Sequence, residues 1–346
     1  MKGDHGKRIV VIENEFGEID IDSELVAFQD DAEEDILLLN NGCLCCTVRG
    51  DLVDMLGKLV TEKKGQFDHI LIETTGLANP APIIQTFYLE PDLLDTLRLD
   101  GVVTLVDSKY AMMHLDEEKP EGVVNEALEQ VAFADRLVMN KTDLVTEAEL
   151  KSVEARVKTI NNLATVQRAQ KGQVDLDFVL GIGGFDLDRV QDVIEAEPEH
   201  SHSHSHSHSH SHGDAAAEAE CEVCGEHGHS HSHHVHDDAV TSVSLSMDGE
   251  VDLDKVNDWL GMLLNDRWQD LFRMKGVLAI EGCDDRYVFQ GVHALFEGMP
   301  DRPWEDGEAR TSRLVFIGKQ LNRAELEAGF EACKVGAAAG AGAGAA

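Results

Sequence analysis

Short apolar runs rich in β-branched residues recur through the first 143 positions of the chain. The predicted strands are residues 8–12, 69–72, 102–106 and 136–139. Continuous apolar runs of this length are typical of strands buried on both faces of a sheet. Between the first two runs, Leu52, Met55, Leu56, Leu59 and Val60 follow the i, i+3, i+4, i+7, i+8 spacing of an amphipathic helix. Strands that alternate with helices predict a mostly parallel α/β sheet, with its ligand crevice beyond the carboxyl ends of the strands.

The second half of the chain groups its elements differently. The predicted strands are residues 241–247, 276–280, 287–295 and 314–317, and the predicted helices are residues 253–272 and 323–333. This grouping predicts a small α+β domain. Between the two halves, residues 200–212 alternate His with Ser, and residues 200–236 as a whole hold 13 of the 17 histidines, with almost no apolar side chains. We therefore predict a first domain at 1–195, a disordered His-rich linker at 196–238, a second domain at 239–335 and a Gly/Ala tail at 336–346.

Charge and composition limit the partners. The chain has 29 Lys+Arg against 66 Asp+Glu, for a net charge of −37, which argues against a nucleic-acid partner because phosphates are met by cationic side chains. It contains neither an apolar run of about 18 residues nor a signal peptide, so we expect no membrane partner. The seven cysteines fall mostly in close clusters, which favours metal or redox chemistry in a reducing compartment. We predict a cytoplasmic location, with organellar targeting left open.

Three cysteines within four residues form the most specific motif in the chain. Cys43, Cys45 and Cys46 can supply three thiolates to one soft or borderline cation, and three protein ligands leave a tetrahedral ion with one open position. An open position permits release of the ion as well as capture. The alternative is that these cysteines are small buried side chains.

Polar residues follow the predicted strands at the expected crevice. Asn140, Lys141 and Asp143 match the N-K-x-D pattern, in which an aspartate accepts hydrogen bonds from the ring N–H and the exocyclic amine of guanine. Glu73 and Gly76 stand where phosphate-binding α/β proteins keep a carboxylate and a glycine near the metal and the terminal phosphate. An ordinary polar turn is the alternative explanation of each motif.

A second set of metal-binding side chains lies in the linker. Cys221 and Cys224 form a C-x-x-C pair, followed by His227 and His229 at a spacing compatible with zinc. We expect a secondary metal buffer there. The alternative is a solvated low-complexity tract that binds metal only adventitiously.

Together these motifs resemble the CobW-like family of metal-handling P-loop GTPases. The similarity runs over residues 7–333 and includes ENEFGE at 13–18, GCLCC at 42–46, ETTGLANP at 73–80, NKTD at 140–143, RMKG at 273–276 and QGVH at 290–293. The resemblance implies a GTPase domain with a mostly parallel sheet, followed by a CobW carboxy-terminal domain.

The resemblance also implies a role for each residue that matches a family motif. Cys43, Cys45 and Cys46 would hold the metal, while Asn140, Lys141 and Asp143 would recognise guanine. Glu73 and Gly76 would form the Walker B and second-switch element. The first switch, which couples the nucleotide to the metal site, would be formed by Glu13, Asn14, Glu15 and Glu18.

The implied function is a GTP-dependent metallochaperone that delivers zinc or cobalt to a client metalloprotein and uses GTP with Mg²⁺. One motif departs from the family, because the sequence contains no G-x-x-x-x-G-K-[ST]. We therefore expect that the first strand and P-loop are missing from this chain, and that hydrolysis of GTP to GDP belongs to the full-length protein. Two alternatives are a non-hydrolysing metal buffer, built from the His-rich tract and C-x-C-C, and a thiol redox switch. The redox switch is weaker because adjacent cysteines form a strained disulfide.

Overall fold

Two small parallel sheets organise the first half of the protein. The structure is a computed structural model that describes residues 6–13, 35–38, 48–90, 93, 96–120, 123–184, 240–305 and 307–336. The first sheet has the order β2-β1-β3, with strands β1 (Ile9–Glu13), β2 (Asp35–Leu38) and β3 (His69–Glu73). The second sheet has the order β4-β5-β6, with strands β4 (Val103–Asp107), β5 (Arg136–Asn140) and β6 (Thr165–Arg168). All pairings in both sheets are parallel.

Helices connect these strands. They are α1 (Val48–Glu62), α2 (Ala81–Leu89), α3 (Ala111–Leu115), α4 (Glu126–Phe133), α5 (Glu147–Ile160) and α6 (Leu176–Val179), with a 3₁₀ turn at Thr142–Leu144. Helix α1 confirms its predicted periodicity, because Leu52 and Leu56 are fully buried against Val10 and Ile12 of β1. The opposite face of β1 packs against α6. The first sheet is thus covered by helices on both faces, as the alternation of strands and helices predicts.

The predicted parallel α/β architecture is observed, with the described strands arranged as two parallel sheets. One expectation was wrong, namely that every strand is buried on both faces, because β3 is only half-buried. In the middle of β4, Leu105 is 64% exposed. The reason is that β3 and β4 are edge strands, each hydrogen-bonded to one neighbour among the described residues. The apolar runs of β1 and β5, which have strands on both sides, are buried as expected.

A five-stranded antiparallel sheet forms the second half. Its order is β10-β9-β8-β11-β7, with strands β7 (Val240–Asp248), β8 (Leu271–Leu278), β9 (Asp285–Val292), β10 (Leu295–Pro303) and β11 (Thr311–Lys319). Two helices, α7 (Leu253–Arg267) and α8 (Arg323–Ala332), pack on one face of this sheet, around Leu260, Phe316 and Phe330. The α+β architecture predicted for this half is therefore observed.

Two predicted elements of the second half have different bounds. The helix expected to reach residue 272 ends at Arg267, because residues from Leu271 onward pair with β11 and join the sheet. The single strand expected at 287–295 is the end of β9 and the start of β10, joined by a tight turn at His293, whose φ is +51°. Tertiary pairing determines both boundaries, and local periodicity does not report it.

The free face of the antiparallel sheet packs on the first half of the protein. Phe133, at the end of α4, contacts Phe272 and His293, with ring centroids 6.1 and 5.5 Å apart. Arg273 of β8 donates to the carbonyl of Phe133 and lies 2.6 Å from the carboxylate of Asp135. One hydrophobic core therefore includes residues from both halves. No helix in the described ranges is long and apolar enough to span a membrane.

Candidate functional site

The carboxyl ends of β4, β5 and β6 meet at one edge of the second sheet. Asp107, the last residue of β4, pairs in register with Asn140, the last residue of β5. The amide of Ser108 then donates to the carbonyl of Asn140 at 3.1 Å. The side chain of Asn140 accepts from the amide of Gly172 at 3.0 Å. Asn140 is thus held between the turn after β4 and the loop after β6.

Lys141 and Thr142 are held by the same two neighbours. Lys141 has a left-handed backbone, with φ +60° and ψ +34°, and its ammonium lies 2.7 Å from the carboxylate of Asp107. The hydroxyl of Thr142 donates to the carbonyl of Ala169 at 3.0 Å. These contacts fix the turn that leaves β5 and leads into the 3₁₀ turn.

Asp143 differs from the three residues before it, because its side chain is exposed. No hydrogen bond or ion pair of its carboxylate is found among the residues that the structure describes. An ionised carboxylate accepts hydrogen bonds only, so this position can accept two from a ligand that presents adjacent N–H groups. The first three motif residues build the turn, and the fourth faces solvent.

A second group of predicted site residues follows β3. Glu73 ends that strand with an exposed side chain, and Glu13 of β1 is its register partner. Gly76 lies in the following loop, where its carbonyl accepts from the side chain of Gln130 at 3.0 Å. The same amide donates to the carbonyl of Ala78 at 2.9 Å, so α4 holds this loop. Glu73 and the N-K-x-D turn therefore lie at the carboxyl edges of two different sheets.

The predicted metal ligands lie outside the described residues. This applies to the thiols of the C-x-C-C motif, the linker ligands and most of the first-switch residues, namely Cys43, Cys45, Cys46, Cys221, Cys224, His227, His229, Asn14, Glu15 and Glu18. Within the described ranges, no group of three His, Cys, Asp or Glu side chains is arranged to hold a metal ion. The chain reaches the carboxyl end of β2 at Leu38 and enters α1 at Val48, on either side of the C-x-C-C motif.

Sequence reasoning missed two residues that shape this site. Asp107 directly follows the predicted strand at 102–106, so the rule that identified the other polar turns also applies to it. It carries no motif, and only the pairing of β4 with β5 connects it with Lys141. Gln130 lies in a helix 54 residues beyond Gly76, and no sequence pattern connects the two.

Comparison with known proteins agrees with this architecture. Residues 1–168 match the nucleotide-binding domain of the CobW/HypB/UreG family, and residues 240–334 match the cobalamin synthesis protein cobW C-terminal domain. The zinc chaperone YjiA of Escherichia coli is 35% identical over 329 residues, or 94% of this chain and 90% of that protein. The zinc chaperone CobW of Sinorhizobium sp is 32% identical over 336 residues, or 90% of this chain and 85% of that protein.

The fold also resembles a solved structure along almost its whole length. The crystal structure of Zn(II)-bound YjiA GTPase from E. coli has a TM-score of 0.64 and 30% sequence identity to this chain. The match covers 95% of this chain and 91% of the YjiA chain. An α/β nucleotide-binding domain followed by an antiparallel α+β domain defines the class of protein. The chain belongs to the CobW family.

Proposed function

We propose that this protein is a GTP-dependent metallochaperone that carries zinc and delivers it to a client metalloprotein. The observation that carries the proposal is the turn after β5. There Asn140 is held by the loop after β6, Lys141 is held by the end of β4, and the carboxylate of Asp143 is exposed. Such a carboxylate accepts from both the ring N–H and the exocyclic amine of guanine, whereas adenine offers no such pair. Membership of the CobW family, whose relatives include two named zinc chaperones, supports zinc as the cargo.

We propose Cys43, Cys45 and Cys46 as the ligands of the carried ion. The C-x-C-C motif lies in the connection between β2 and α1, and parallel strands present their following connections at one edge of a sheet. Three thiolates leave a tetrahedral ion one position for a client ligand, through which the ion can be transferred. Thiolates bind cobalt as well as zinc, so cobalt remains the second choice of metal. The linker set of Cys221, Cys224, His227 and His229 is proposed as a secondary buffer.

On the phosphate side, we propose roles for the ends of β1 and β3. A carboxylate such as that of Glu73 suits the Mg²⁺ that accompanies GTP. Gly76 belongs to the proposed second switch, and residues 13–18 form the proposed first switch. The sequence contains no G-x-x-x-x-G-K-[ST], so no P-loop lysine is proposed for the phosphates.

The proposal is tested by measuring Zn²⁺ affinity with GTP, with GDP and without nucleotide. We expect different affinities, and by linkage Zn²⁺ must change the affinity for GTP by the same factor. Replacing the three motif cysteines by serine should abolish the tight site and the sulfur-to-metal charge-transfer band of a Co²⁺ probe. Cys283→Ser is the matched control, because Cys283 is a free thiol in the second half. Equal Zn²⁺ affinity in all three nucleotide conditions contradicts the proposal.

A metal buffer without GTPase activity is the second candidate, and the missing phosphate-binding motif favours it. Deletion of residues 200–236 separates the two functions. A buffer loses most of its bound metal on deletion, whereas a chaperone keeps one tight site. The cytoplasmic location stays a prediction.

A further inference from the structure

The ion pair between Lys141 and Asp107 joins the ends of two adjacent strands. Lys141 follows β5 directly, and Asp107 is the last residue of β4. The lysine ammonium lies 2.7 Å from a carboxylate oxygen of Asp107. Neighbouring strands are roughly 4.8 Å apart, so the methylene stem of Lys141 has to cross the gap between the two strand ends. This gap is part of the crevice where α/β sheets bind their ligands.

Both partners of the pair are themselves held in place. Asp107 accepts from the amide of Lys109 at 3.0 Å, which fixes its carboxylate at the start of the turn after β4. Lys141 has the left-handed backbone that residues other than glycine seldom adopt, and such residues are concentrated at functional sites. Partial burial alone would raise the pKa of Asp107, but the hydrogen bond from Lys141 lowers it below its usual value. The hydrogen bond to Asp107 raises the pKa of Lys141, so the pair is ionised at neutral pH.

We propose that Asp107 is a positioning residue for guanine binding, which holds the stem of Lys141 along the ends of β4 and β5 as one wall of the base site. This proposal rests on the proposed GTP binding and adds a residue to it. A free lysine side chain samples many rotamers, and a binding site that needs one of them loses affinity. Asp107 restrains that freedom before the nucleotide arrives, while Asp143 recognises the edge of the base.

A second ion pair, on the surface of the same half, can be compared with the Lys141–Asp107 pair. Asp116 pairs with Arg156 at 3.0 Å in the same half of the protein, and both side chains are partly exposed, as they are in the Lys141–Asp107 pair. Exposed pairs of this kind contribute little to stability. Asp116 directly follows α3, and Arg156 lies within α5, so neither residue belongs to the turns that follow β4 and β5 directly. Asp116→Asn is therefore a matched control, because it removes an equivalent charge and ion pair outside the base site.

The test compares four proteins, namely the full chain, Asp107→Asn, Lys141→Met and the double variant, with GDP and IDP as probes in equilibrium binding. We expect Asp107→Asn to weaken GDP binding about 3- to 10-fold, the range for releasing one restrained side chain. The same variant should weaken IDP binding by the same factor, because the proposed contact of the lysine stem is with the ring plane that both bases share. In the Lys141→Met background, Asp107→Asn should have no further effect, since its influence acts through the lysine ammonium.

Three results would overturn the proposal in distinguishable ways. If Asp107→Asn leaves GDP affinity unchanged while the full chain binds GDP, the positioning role is wrong and the proposed function survives. If Asp107→Asn weakens GDP binding equally in the Lys141→Met background, or if Asp116→Asn has the same effect, the loss is structural or due to net charge. If the full chain binds no guanine nucleotide, both the proposed function and the positioning role are wrong.

Discussion

At the turn after β5, four consecutive residues have different roles in one candidate site. Asn140 and Thr142 connect the turn to the loop after β6, and Lys141 connects it to β4. Asp143 differs from these three residues, because its side chain, a carboxylate, is exposed to solvent. This difference follows from chemistry. The amide, hydroxyl and ammonium groups bind to backbone and carboxylate groups of neighbouring elements. A carboxylate left exposed is an acceptor for donors that arrive with a ligand.

Exchanging one atom at Asp143 should change which base the site prefers. On the edge that Asp143 is proposed to recognise, guanine presents two hydrogen-bond donors, whereas xanthine presents one donor and one acceptor. We expect Asp143→Asn to weaken GDP binding at least about tenfold and to strengthen XDP binding, because a carboxamide donates one hydrogen bond and accepts another. Competition binding measures the ratio. Asp177→Asn, an exposed carboxylate in the same half, is the control. An unchanged GDP/XDP ratio in Asp143→Asn would show that this residue does not contact the base.

Sequence reasoning at this scale identified the residues with a local signature. The N-K-x-D pattern occupies four adjacent positions, so it is visible without a structure. Asp107 is 34 residues away from Lys141 along the chain, and it becomes relevant only because β4 and β5 pair in register. The predicted roles of Cys43, Cys45 and Cys46 lie outside the described residues and stay predictions.

At the scale of elements, one buried side chain connects α4, α5 and β6. Asn161 ends α5, and no part of it is exposed. Its amide donates to three carbonyls at the end of α4, and its oxygen accepts from two amides of the turn before β6. The partners are Val131, Ala132, Ala134, Leu163 and Ala164, at 2.8 to 3.2 Å. A single amide therefore satisfies backbone groups that helix and strand ends leave without partners.

Removal of this amide should destabilise the first half strongly. We expect Asn161→Ala to lower the free energy of unfolding by about 2 to 4 kcal/mol, because several buried backbone groups lose their partners together. Asn265→Ala, at an exposed position of α7, should change it by less than about 0.5 kcal/mol. Urea unfolding followed by circular dichroism gives both values. Equal stability of Asn161→Ala and the wild type would mean that water replaces the amide.

Element boundaries were predictable where local pattern and tertiary contacts agree. Helix α1 has an apolar stripe that packs against β1, so its periodicity alone located it. Residues 268–272 continue an apolar pattern, yet β8 begins at Leu271 because β11 offers it a pairing partner. The strands β2 and β6 have four residues each, and were missed because so short a segment carries little periodic signal.

At the scale of the whole molecule, the two halves share a buried carboxyl group. Glu129 of α4 is 5% exposed, and it lies near Lys319 of β11 and Asn79 of the loop after β3. Burial raises the pKa of Glu129 from 4.5 to about 7. The folded protein therefore keeps this proton up to about pH 7, whereas the unfolded chain releases it near pH 4.5. Because the unfolded chain binds fewer protons in this range, the stability contributed by Glu129 falls as pH rises through it.

Glu129→Gln should remove this pH dependence, since the amide is neutral at every pH. We expect the variant to be more stable than the wild type by about 2 to 4 kcal/mol at pH 8, and the difference to vanish below about pH 5. Urea unfolding at several pH values tests this. Glu331→Gln, at an exposed position of α8, should show no such trend. A constant difference between Glu129→Gln and the wild type across this range contradicts the raised pKa.

A buried ion-pair cluster also lies at the contact between the two halves. Asp135 is buried between Arg273 and Lys275 of β8, at 2.6 and 2.5 Å from their cationic groups. Burial alone would raise the pKa of Asp135, but these two cations lower it below its usual value. The carboxylate also accepts from the amide of Val102 at 2.8 Å, immediately before β4. One charged group therefore connects the antiparallel sheet with the strands that lead to the base site.

Asp135→Asn should remove the buried carboxylate that Arg273 and Lys275 share, at a cost of about 3 to 5 kcal/mol. All three tryptophans lie in residues 259–304, so their fluorescence reports on the second half, while circular dichroism reports on both halves. In urea, we expect the two signals to coincide for the wild type and to separate for Asp135→Asn, because the halves then unfold independently. Asp301→Asn, an exposed position on β10, is the control and should behave as wild type. Coincident transitions in Asp135→Asn would show that apolar contacts such as Phe133 with Phe272 are sufficient to couple the halves.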